Sequence, residues 1–591
     1  MVALTFESLC CSISRVKLIT CICGTASLSG FLYGYSMAAS SIMITSDTFI
    51  QHFCVDVYGD AESCYSNDLT AQPDGWITYT TQFTAMLGLG SLVGAALSAW
   101  AADAVGRRRA LLGAAAIYVV FTGWQVAIIL KISMLLARFL AGIGIGIGCA
   151  VSPTYIMEVA PPALRGQLAG FVPLALCAGM LSAGVISEWF DGYAGGWRYT
   201  LALVVIVGII MFLGMYIFPE SPRWAMATEG KESCEQILKF LRQSEDVGAE
   251  LAHCEAAAAR DRAAAAAAAP AASFSFYGRF FGPHFRKRTL VACALQLVQQ
   301  MSGIVILLSY GAEIIAMLSI SRVMVVLIIL YILNGIGTSL ALGRIDVHGR
   351  RTLMVEGAVG CTLANLGCAV SLKIGRIEDY ESDDISSNTK SIVAAAFLFF
   401  LAVYILFFAS SFGLVPWVYA SEVFPMEARA TAVGLANIVH AGALYLATYY
   451  QSLITATTLA FTYLVCAALC ALSLIFILLA VPETAGKSME KIDDAFKRSA
   501  WDDDEPGSLA ARLSSHFSWL FGTCSVCCPA DDYWHANKSE DVSEETEELL
   551  GALRKRQQAT AALLAEEVED GSQHSGDEPL SSRRRHSKQD S

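Results

Sequence analysis

Apolar residues along this chain fall in blocks near the ~20 residues that span a bilayer core. The first half holds six such blocks, at about 18–43, 76–100, 110–130, 134–157, 166–190 and 199–218. The second half holds six more, at about 289–316, 322–345, 352–372, 391–420, 429–453 and 458–481. The pattern predicts an all-α membrane protein with twelve transmembrane helices, and two sets of six predict two homologous bundles. Polar segments divide the chain into an N-terminal tail (1–17), a first bundle (18–218), a linker (219–288), a second bundle (289–481) and a C-terminal tail (482–591). The apolar run from Leu18 is too long for a signal-peptide core, and no clear cleavage site follows it.

Charge orients the spans. The loop after span 2 carries Arg107, Arg108 and Arg109, and the loop after span 8 carries Arg350 and Arg351. The loop after span 1 has no Lys or Arg and carries Asp47, Asp56, Asp60, Glu62, Asp68 and Asp74. Basic short loops stay in the cytoplasm, so this reading puts both termini inside and the acidic loop outside. Cys54 and Cys64 fall in that outer loop, where an oxidising compartment lets them pair or remain free. The linker is expected to hold a short helix at Cys234–Arg242. An alanine-rich, low-complexity insertion follows around Ala256–Ala272. The last hundred residues are polar and expected to be mostly disordered.

Composition agrees and excludes alternatives. Hydrophobic residues make up 55% and charged residues only 16%, too few charges to coat a soluble protein of this size. The net charge of −13 sits largely in the tail and carries no argument for nucleic-acid binding. No nucleotide loop, metal set or nucleophile–base arrangement appears, so an enzyme, a cofactor and a metal site are not expected. Cys524, Cys527 and Cys528 lack the spacing of a zinc site and sit where acylation is possible.

The most specific signal is a repeated polar cassette. The pattern D-x-x-G-R-R follows span 2 as Asp103, Gly106, Arg107 and Arg108, and follows span 8 as Asp346, Gly349, Arg350 and Arg351. An E-x6-R cassette follows span 4 (Glu158, Arg165) and span 10 (Glu422, Arg429). P-E-S-P-R-W after span 6 supplies Glu220 and Arg223, and P-E-T-x-G after span 12 supplies Glu483. Topology alone accounts for the arginines but not for acids and glycines at fixed offsets in both halves. The glycine permits a tight turn. The Asp can accept from a helix N-terminus, and the arginines can reach carboxylates on adjacent helices. Such a ring is expected to lock the bundles when the cavity faces outward and to break when it opens inward.

These motifs, with R-F-L-A-G from Arg138 and Q-Q-M-S-G from Gln299, resemble the signatures of the sugar porter family of the major facilitator superfamily, over about residues 18–490. The resemblance implies that superfamily's fold and a central site for a small hydroxylated solute between the bundles. A monomer is then sufficient for transport, and the oligomeric state is left open. On the motif positions it implies sugar contacts from Gln299, Gln300, Asn334 and Trp417. Paired amides in an apolar span are costly unless they line a polar cavity.

The chain departs from the family pattern at several points. Pro173 and Val305 stand where relatives carry Gln and Asn, Ala409 and Leu414 where they carry the Glu and Pro of E-x-x-x-G-P, and His440 with Ala441 replaces an Asn-Trp pair. His440 is either a compensating contact or a packing residue. Two lost amides remove about 2–3 kcal/mol, or one to two orders of magnitude in glucose affinity. Proton-coupled relatives carry Asp in span 1 opposite the span-4 arginine. Here Ser36 faces that role with Arg138, and serine does not titrate in a useful range. The expectation is a facilitative uniporter. The alternatives are a proton-coupled sugar or inositol symporter, a carrier of another metabolite, and a non-transporting nutrient sensor. The plasma membrane is the expected location, with an organelle membrane as the alternative.

Overall fold

In a bilayer core no water satisfies backbone N–H and C=O groups, so a crossing segment must close its own hydrogen bonds as a helix. The computed structural model obeys that constraint throughout. The structure describes residues 15–485, Ile492 and Phe496, apart from 67–71, 129, 162–167, 191, 245, 268–284, 318–321, 375–386, 425–428 and 456–458. Among the described residues, twelve helices are long and apolar enough to cross a membrane. Spans 1–6 are Leu18–Met43, Asp74–Val105, Arg107–Ala127, Lys131–Val159, Phe171–Phe190 and Gly196–Ile217. Spans 7–12 are Arg286–Ala312, Val323–Ile345, Arg350–Ile374, Ser391–Ala409, Thr431–Tyr450 and Leu459–Ala480. The tail beyond 500 lies outside the described residues, and so does any order or disorder in it.

The spans form two bundles. Span 4 packs on spans 2 and 3 in the first, and span 9 on spans 10 and 12 in the second. Span 2 meets span 11 across the divide, and span 5 meets span 8. These two seams are equivalent, since each joins the second helix of one bundle to the fifth of the other.

Lipid tails are as apolar as leucine, so helices here associate through close packing rather than hydrophobic burial. The contact of spans 2 and 4 shows how. Gly90 and Gly94 on one helix interlock with Gly142 and Gly146 on the other. A Cβ at Gly90 would stand 2.0 Å from the Phe139 carbonyl oxygen, and one at Gly146 2.2 Å from that of Ser91. No side chain fits those positions without separating the helices.

Two spans that read as continuous apolar runs are interrupted. Span 7 is helical over Arg286–Gln299, widens by one residue per turn over Gln300–Ile304, and resumes at Val305. The carbonyl of Ser302, freed from the helix, accepts from Asn365 Nδ2 at 3.1 Å. Span 10 ends at Ala409, and a second helix, Val415–Glu422, begins after a turn. Pro416 has no N–H to continue the ladder, and Gln299 Nε2 donates to the Gly413 carbonyl at 3.4 Å. Hydropathy averaged over a span does not register either break, because the short breaks are flanked by long apolar runs.

The acidic loop after span 1 is folded. Cys54 and Cys64 are joined by a disulfide with Cα atoms 6.0 Å apart. Between them, Asp60 accepts from the Glu62 and Ser63 amides at 3.1 and 3.4 Å. Hydrogen bonds from Ser63 and Glu62 hold its carboxyl below the usual carboxylate range. Beneath lies a cluster of Phe49, Phe53, Trp76, Phe83 and Trp197.

At the opposite, basic end, the linker contains helices α1 (Pro222–Thr228), α2 (Lys231–Arg242) and α3 (Gly248–Ala267). The alanine-rich run is thus partly a docked helix rather than a plain insertion. Val247, Leu251, Cys254 and Ala258 place α3 against a core shared with α1 and α2.

Replacing Gly146 with Leu is expected to lower the thermal midpoint of the purified protein markedly, at a cost of about 1–3 kcal/mol or more. A Cβ at Gly113 meets nothing within 4 Å, so Gly113→Ala should leave the midpoint within error. Equal midpoints for the two variants would refute the packing argument.

Candidate functional site

Amide side chains inside an apolar span cost free energy unless they meet partners or water. Here they gather around one central cavity, whose empty volume is about 1090 Å³ including its open mouth. Gln299, Gln300, Asn334, Trp417 and His440 all line it. The five residues picked for this site therefore do come together. The cavity runs from mid-span level down to Met157 and Ser421, next to Glu158 and Glu422 at the basic end. Toward the acidic end span 7 packs on span 1, where the Ala312 amide donates to Ser41 Oγ at 3.5 Å.

His440 is the hub. Gln296 Oε1 lies 3.0 Å from its Nδ1. Gln300 Nε2 stands 2.9 Å from its Nδ1 and 3.0 Å from its Nε2, and Tyr33 Oη 3.3 Å from its Nε2. The ring of Trp417 stacks edge-on with its centroid 4.9 Å away. The imidazole is thus already engaged on both nitrogens, which favours the packing reading of His440 over a free ligand contact. Its partners include Tyr33 from the first bundle, so the hub bridges the two bundles.

Other groups keep capacity for a ligand. Gln299 Oε1 is buried without a hydrogen-bond partner. Asn334 lines the cavity, and its backbone carbonyl accepts from Thr338 Oγ1 at 3.0 Å. The wall supplied by the first bundle is different. Met37, Val172, Pro173, Leu176 and Met180 line it, with Tyr33 as the hydroxyl among them. The cavity therefore has a polar face on spans 7, 8 and 11 and an apolar face on spans 1 and 5.

Gln296 and Tyr33 were missed by sequence reading. The first was legible in Q-x-x-Q-Q, which places Gln296 one helical turn before Gln300 on the same face. The second carries no such signal, since tyrosine in an apolar span reads as packing.

Between spans 1, 3 and 4 lies Arg138, 2% exposed. Its guanidinium donates to Ser40 Oγ and sits 4.0 Å over the Phe83 ring. Ser36 Oγ is 2.8 Å from Tyr118 Oη rather than on the arginine. Among the described residues Arg138 makes no ion pair, so Ser36 and Arg138 are near neighbours without a direct bond.

The basic end holds the repeated cassette, and the repeat is carried down to single atoms. Glu220 Oε1 accepts from the Arg108 amide at 2.9 Å. Glu483 accepts from the Arg350 and Arg351 amides, each at 2.9 Å. Both carboxylates therefore cap the first turn of a span, where the helix dipole favours negative charge. Gly106 and Gly349 hold φ of 104° and 86°, and a Cβ at either would meet the capping carboxylate within 2.6 Å. Arg107 Nε pairs with Glu158 at 3.2 Å and Arg107 Nη2 with Asp103 at 3.2 Å. Arg350 grips Glu422 with Nε at 3.0 Å and Nη2 at 2.6 Å. Ser221 donates to Glu158, and Thr484 to Glu422 at 3.1 Å.

Two expectations change. The helix caps are Glu220 and Glu483, whereas Asp103 pairs with the arginine one turn on. The guanidinium of the first arginine in each pair reaches a carboxylate, and that of the second reaches a backbone carbonyl. Arg108 Nε donates to the Met215 carbonyl at 2.9 Å and Arg351 Nη2 to that of Leu478 at 2.7 Å, holding spans 3 and 9 to the ends of spans 6 and 12. Each ion pair given above closes within one bundle. Arg165 and the side chain of Asp346 lie outside the described residues. Arg429 donates to the Phe424 carbonyl at 3.4 Å, and Arg223 sits half-buried on α1. A further repeated element went unread: Tyr155 donates to the Pro219 carbonyl at 2.8 Å and Tyr419 to that of Pro482 at 3.2 Å. Each tyrosine stands three residues before its glutamate, and Y-x-x-E at both sites was the available signal.

Comparison with known proteins fits this geometry. Residues 22–496 match the model of the family described as sugar (and other) transporters. The chain belongs to the sugar transporter family. Among relatives of this sugar transporter, the probable glucose transporter rco-3 of Neurospora crassa is 28% identical over 80% of this chain and 78% of its own. The arabinose-proton symporter of Bacillus subtilis is 29% identical over 82% and 95%, and the myo-inositol transporter 1 of Saccharomyces cerevisiae 27% over 80% and 78%. The proton:xylose symporter XylE of E. coli, bound to 6-bromo-6-deoxy-D-glucose, superposes with a TM-score of 0.66 at 24% identity, over 81% of this chain and 99% of that one. That likeness shows the major facilitator superfamily fold. The protein is an integral, multi-pass membrane transporter, and its relatives are transporters rather than enzymes.

Replacing Glu422 with Gln leaves Arg350, 8% exposed, facing a neutral partner. The expected cost is about 1–3 kcal/mol, read as a lower thermal midpoint of the purified protein. Tyr419→Phe removes one neutral hydrogen bond and should cost about 1 kcal/mol. An unaffected midpoint in Glu422→Gln would show that the cassette does not stabilise the bundle.

Proposed function

We propose that this transporter moves a small hydroxylated solute, a hexose or polyol, by alternating access and without proton coupling. The observation that carries the proposal is the central cavity with amides from Gln299, Gln300 and Asn334 on one wall. Each hydroxyl of a bound solute left unpaired costs about 1–3 kcal/mol, and amides offer both donors and acceptors. The apolar wall on spans 1 and 5 favours a solute whose hydroxyls sit mainly on one edge. Glucose, hydroxylated all round, should bind less well than a deoxy sugar or a cyclic polyol with one apolar face.

The uncoupled reading rests on Ser36 and Arg138. A carboxylate beside a buried arginine can take and release a proton as the bundles move, whereas serine cannot. Orientation follows from charge. With the Arg107 and Arg350 loops in the cytoplasm, both termini are cytoplasmic, the disulfide-bonded loop lies outside, and the cavity faces inward. The plasma membrane suits that loop, because its disulfide persists in an oxidising exterior. The ring of charges then acts within each bundle in this inward-facing arrangement. A lock between bundles belongs to the opposite state.

Two measurements test this reading. Purified protein in proteoliposomes should show saturable uptake of at least one solute from a panel of hexoses, deoxy sugars and inositols. Asn334→Ala and Gln300→Ala should each raise KM by about tenfold, the equivalent of ~1.4 kcal/mol, with the larger effect at Gln300 because its loss also frees His440. Signalling in cells without saturable flux would instead support a sensor. A pH-sensitive dye in the same vesicles should report no substrate-driven proton movement. Substrate-dependent alkalinisation outside the vesicles would overturn the uncoupled mechanism and leave the solute assignment standing.

A further inference from the structure

The linker at the basic end carries chemistry that transport does not use. Helices α1, α2 and α3 share a small core built from Met226, Cys234, Leu238, Val247, Leu251 and Ala258. Charged contacts tie α2 to α3: Arg242 Nε donates to both Glu250 oxygens at 3.1 and 2.9 Å, and Lys231 pairs with Glu255 at 2.9 Å. Arg242 Nη1 also donates to the Val159 carbonyl at 3.1 Å. Val159 follows Glu158, so the linker is fastened to the end of span 4 beside the ion-pair cassette.

Inside this core two thiols meet. Cys234 on α2 is fully buried, and Cys254 on α3 packs against the same core while remaining partly exposed. Both belong to the one small core that α2 and α3 share. The neighbouring Cys234 thiol, helped by the charge of Arg223 and opposed by burial, holds the Cys254 thiol below the usual cysteine range. The neighbouring Cys254 and burial push the Cys234 thiol up. The pair is thus divided into an accessible sulfur that favours the thiolate and a buried sulfur that keeps its proton. A thiolate-biased, accessible cysteine next to a resolving one is the arrangement that peroxide oxidises selectively.

We propose that Cys234 and Cys254 are a reversible disulfide-forming pair whose oxidation by peroxide fastens α3 to α2 beside the end of span 4. The Cys254 thiolate attacks one peroxide oxygen, the O–O bond breaks, and hydroxide leaves and takes up a proton. The Cys254 sulfenic acid that results is attacked by the Cys234 sulfur, the S–O bond breaks, and water leaves with the Cys234 proton. Two thiols and one hydrogen peroxide give one disulfide and two waters. A dithiol reductant reverses the step by thiol–disulfide exchange. On the orientation proposed above the pair lies in the cytoplasm, where disulfides are transient rather than structural.

The full chain in membranes provides the test. Samples with and without hydrogen peroxide are alkylated with N-ethylmaleimide and cut with trypsin. Cleavage at Lys231, Lys239, Arg242 and Arg260 puts the two cysteines on separate peptides, 232–239 and 243–260. A peroxide-dependent linked pair of these peptides, lost on treatment with dithiothreitol, is expected. In Cys234→Ser the link should vanish and dimedone should capture Cys254 as the sulfenic acid. Amide hydrogen exchange over 248–260 should slow on oxidation in the wild type and not in Cys254→Ser. Recovery of both wild-type cysteines alkylated and unlinked after peroxide overturns the pairing. A linked pair with unchanged exchange overturns the fastening of α3. Neither readout needs a transported solute, so both are independent of the substrate proposed above.

Discussion

A helix that starts at a membrane surface exposes amide N–H groups with no partner one turn back. In this transporter spans 3 and 9 begin directly after tight turns, with no room for a longer cap of their own. The carboxylates of Glu220 and Glu483, delivered from the ends of spans 6 and 12, fill that need at 2.9 Å. The rest of the basic end depends on this contact. The cap requires glycine at 106 and 349, since a side chain would occupy the carboxylate's place. It places the next residue, Arg107 or Arg350, against Glu158 or Glu422. It also sends the second arginine along the outside of span 6 or 12. One interaction thus joins the second, third, fourth and sixth helices of each bundle into a block that can move as a unit, as rocking of one bundle against the other demands.

Within such rigid blocks, specificity is left to residues that face the divide. The polar groups there are distributed unequally. Spans 7, 8 and 11 present amides and an imidazole, while spans 1 and 5 present methionine, valine, proline and leucine. The break in span 7 makes this possible, because the widened turn at Gln300–Ile304 turns Gln299 and Gln300 together toward the cavity. His440 then organises the amides rather than competing with them. It takes Gln296 and Gln300 from one bundle and Tyr33 from the other, and the edge of Trp417 closes over it.

Much of this was legible in the sequence, for identifiable reasons. Twelve apolar blocks follow from lipid acting as solvent, and D-x-x-G-R-R with P-E-S or P-E-T follows from a cap that tolerates few substitutes. Gln299, Gln300 and Asn334 stood out because amides are expensive in apolar helices. What escaped notice were contacts made by residues that look ordinary in a membrane. Tyr155 and Tyr419 read as aromatic packing, yet each places a hydroxyl on a proline carbonyl at a span end. The assignment of the cap to Asp103 failed because spacing cannot say which of several acids reaches a helix terminus. The helix that leads into the alanine-rich run was hidden by composition, although Val247, Leu251, Cys254 and Ala258 repeat at helical spacing.

The buried arginine of span 4 joins the two halves of the argument. A guanidinium at 2% exposure without an acid partner among the described residues carries a desolvation cost that an ion pair would ordinarily offset. Here the face of Phe83 and the hydroxyl of Ser40 offset it instead, through cation–π attraction and a charge-assisted hydrogen bond. Both partners are permanent. A carboxylate at position 36 would make the balance depend on a proton, and the stability of each bundle arrangement would then depend on pH. With serine there, bonded to Tyr118, the charge balance around Arg138 is the same at every pH at which the arginine is charged. On the proposal of an uncoupled carrier, Ser36 removes the titratable group that would otherwise tie the balance of inward- and outward-facing states to pH.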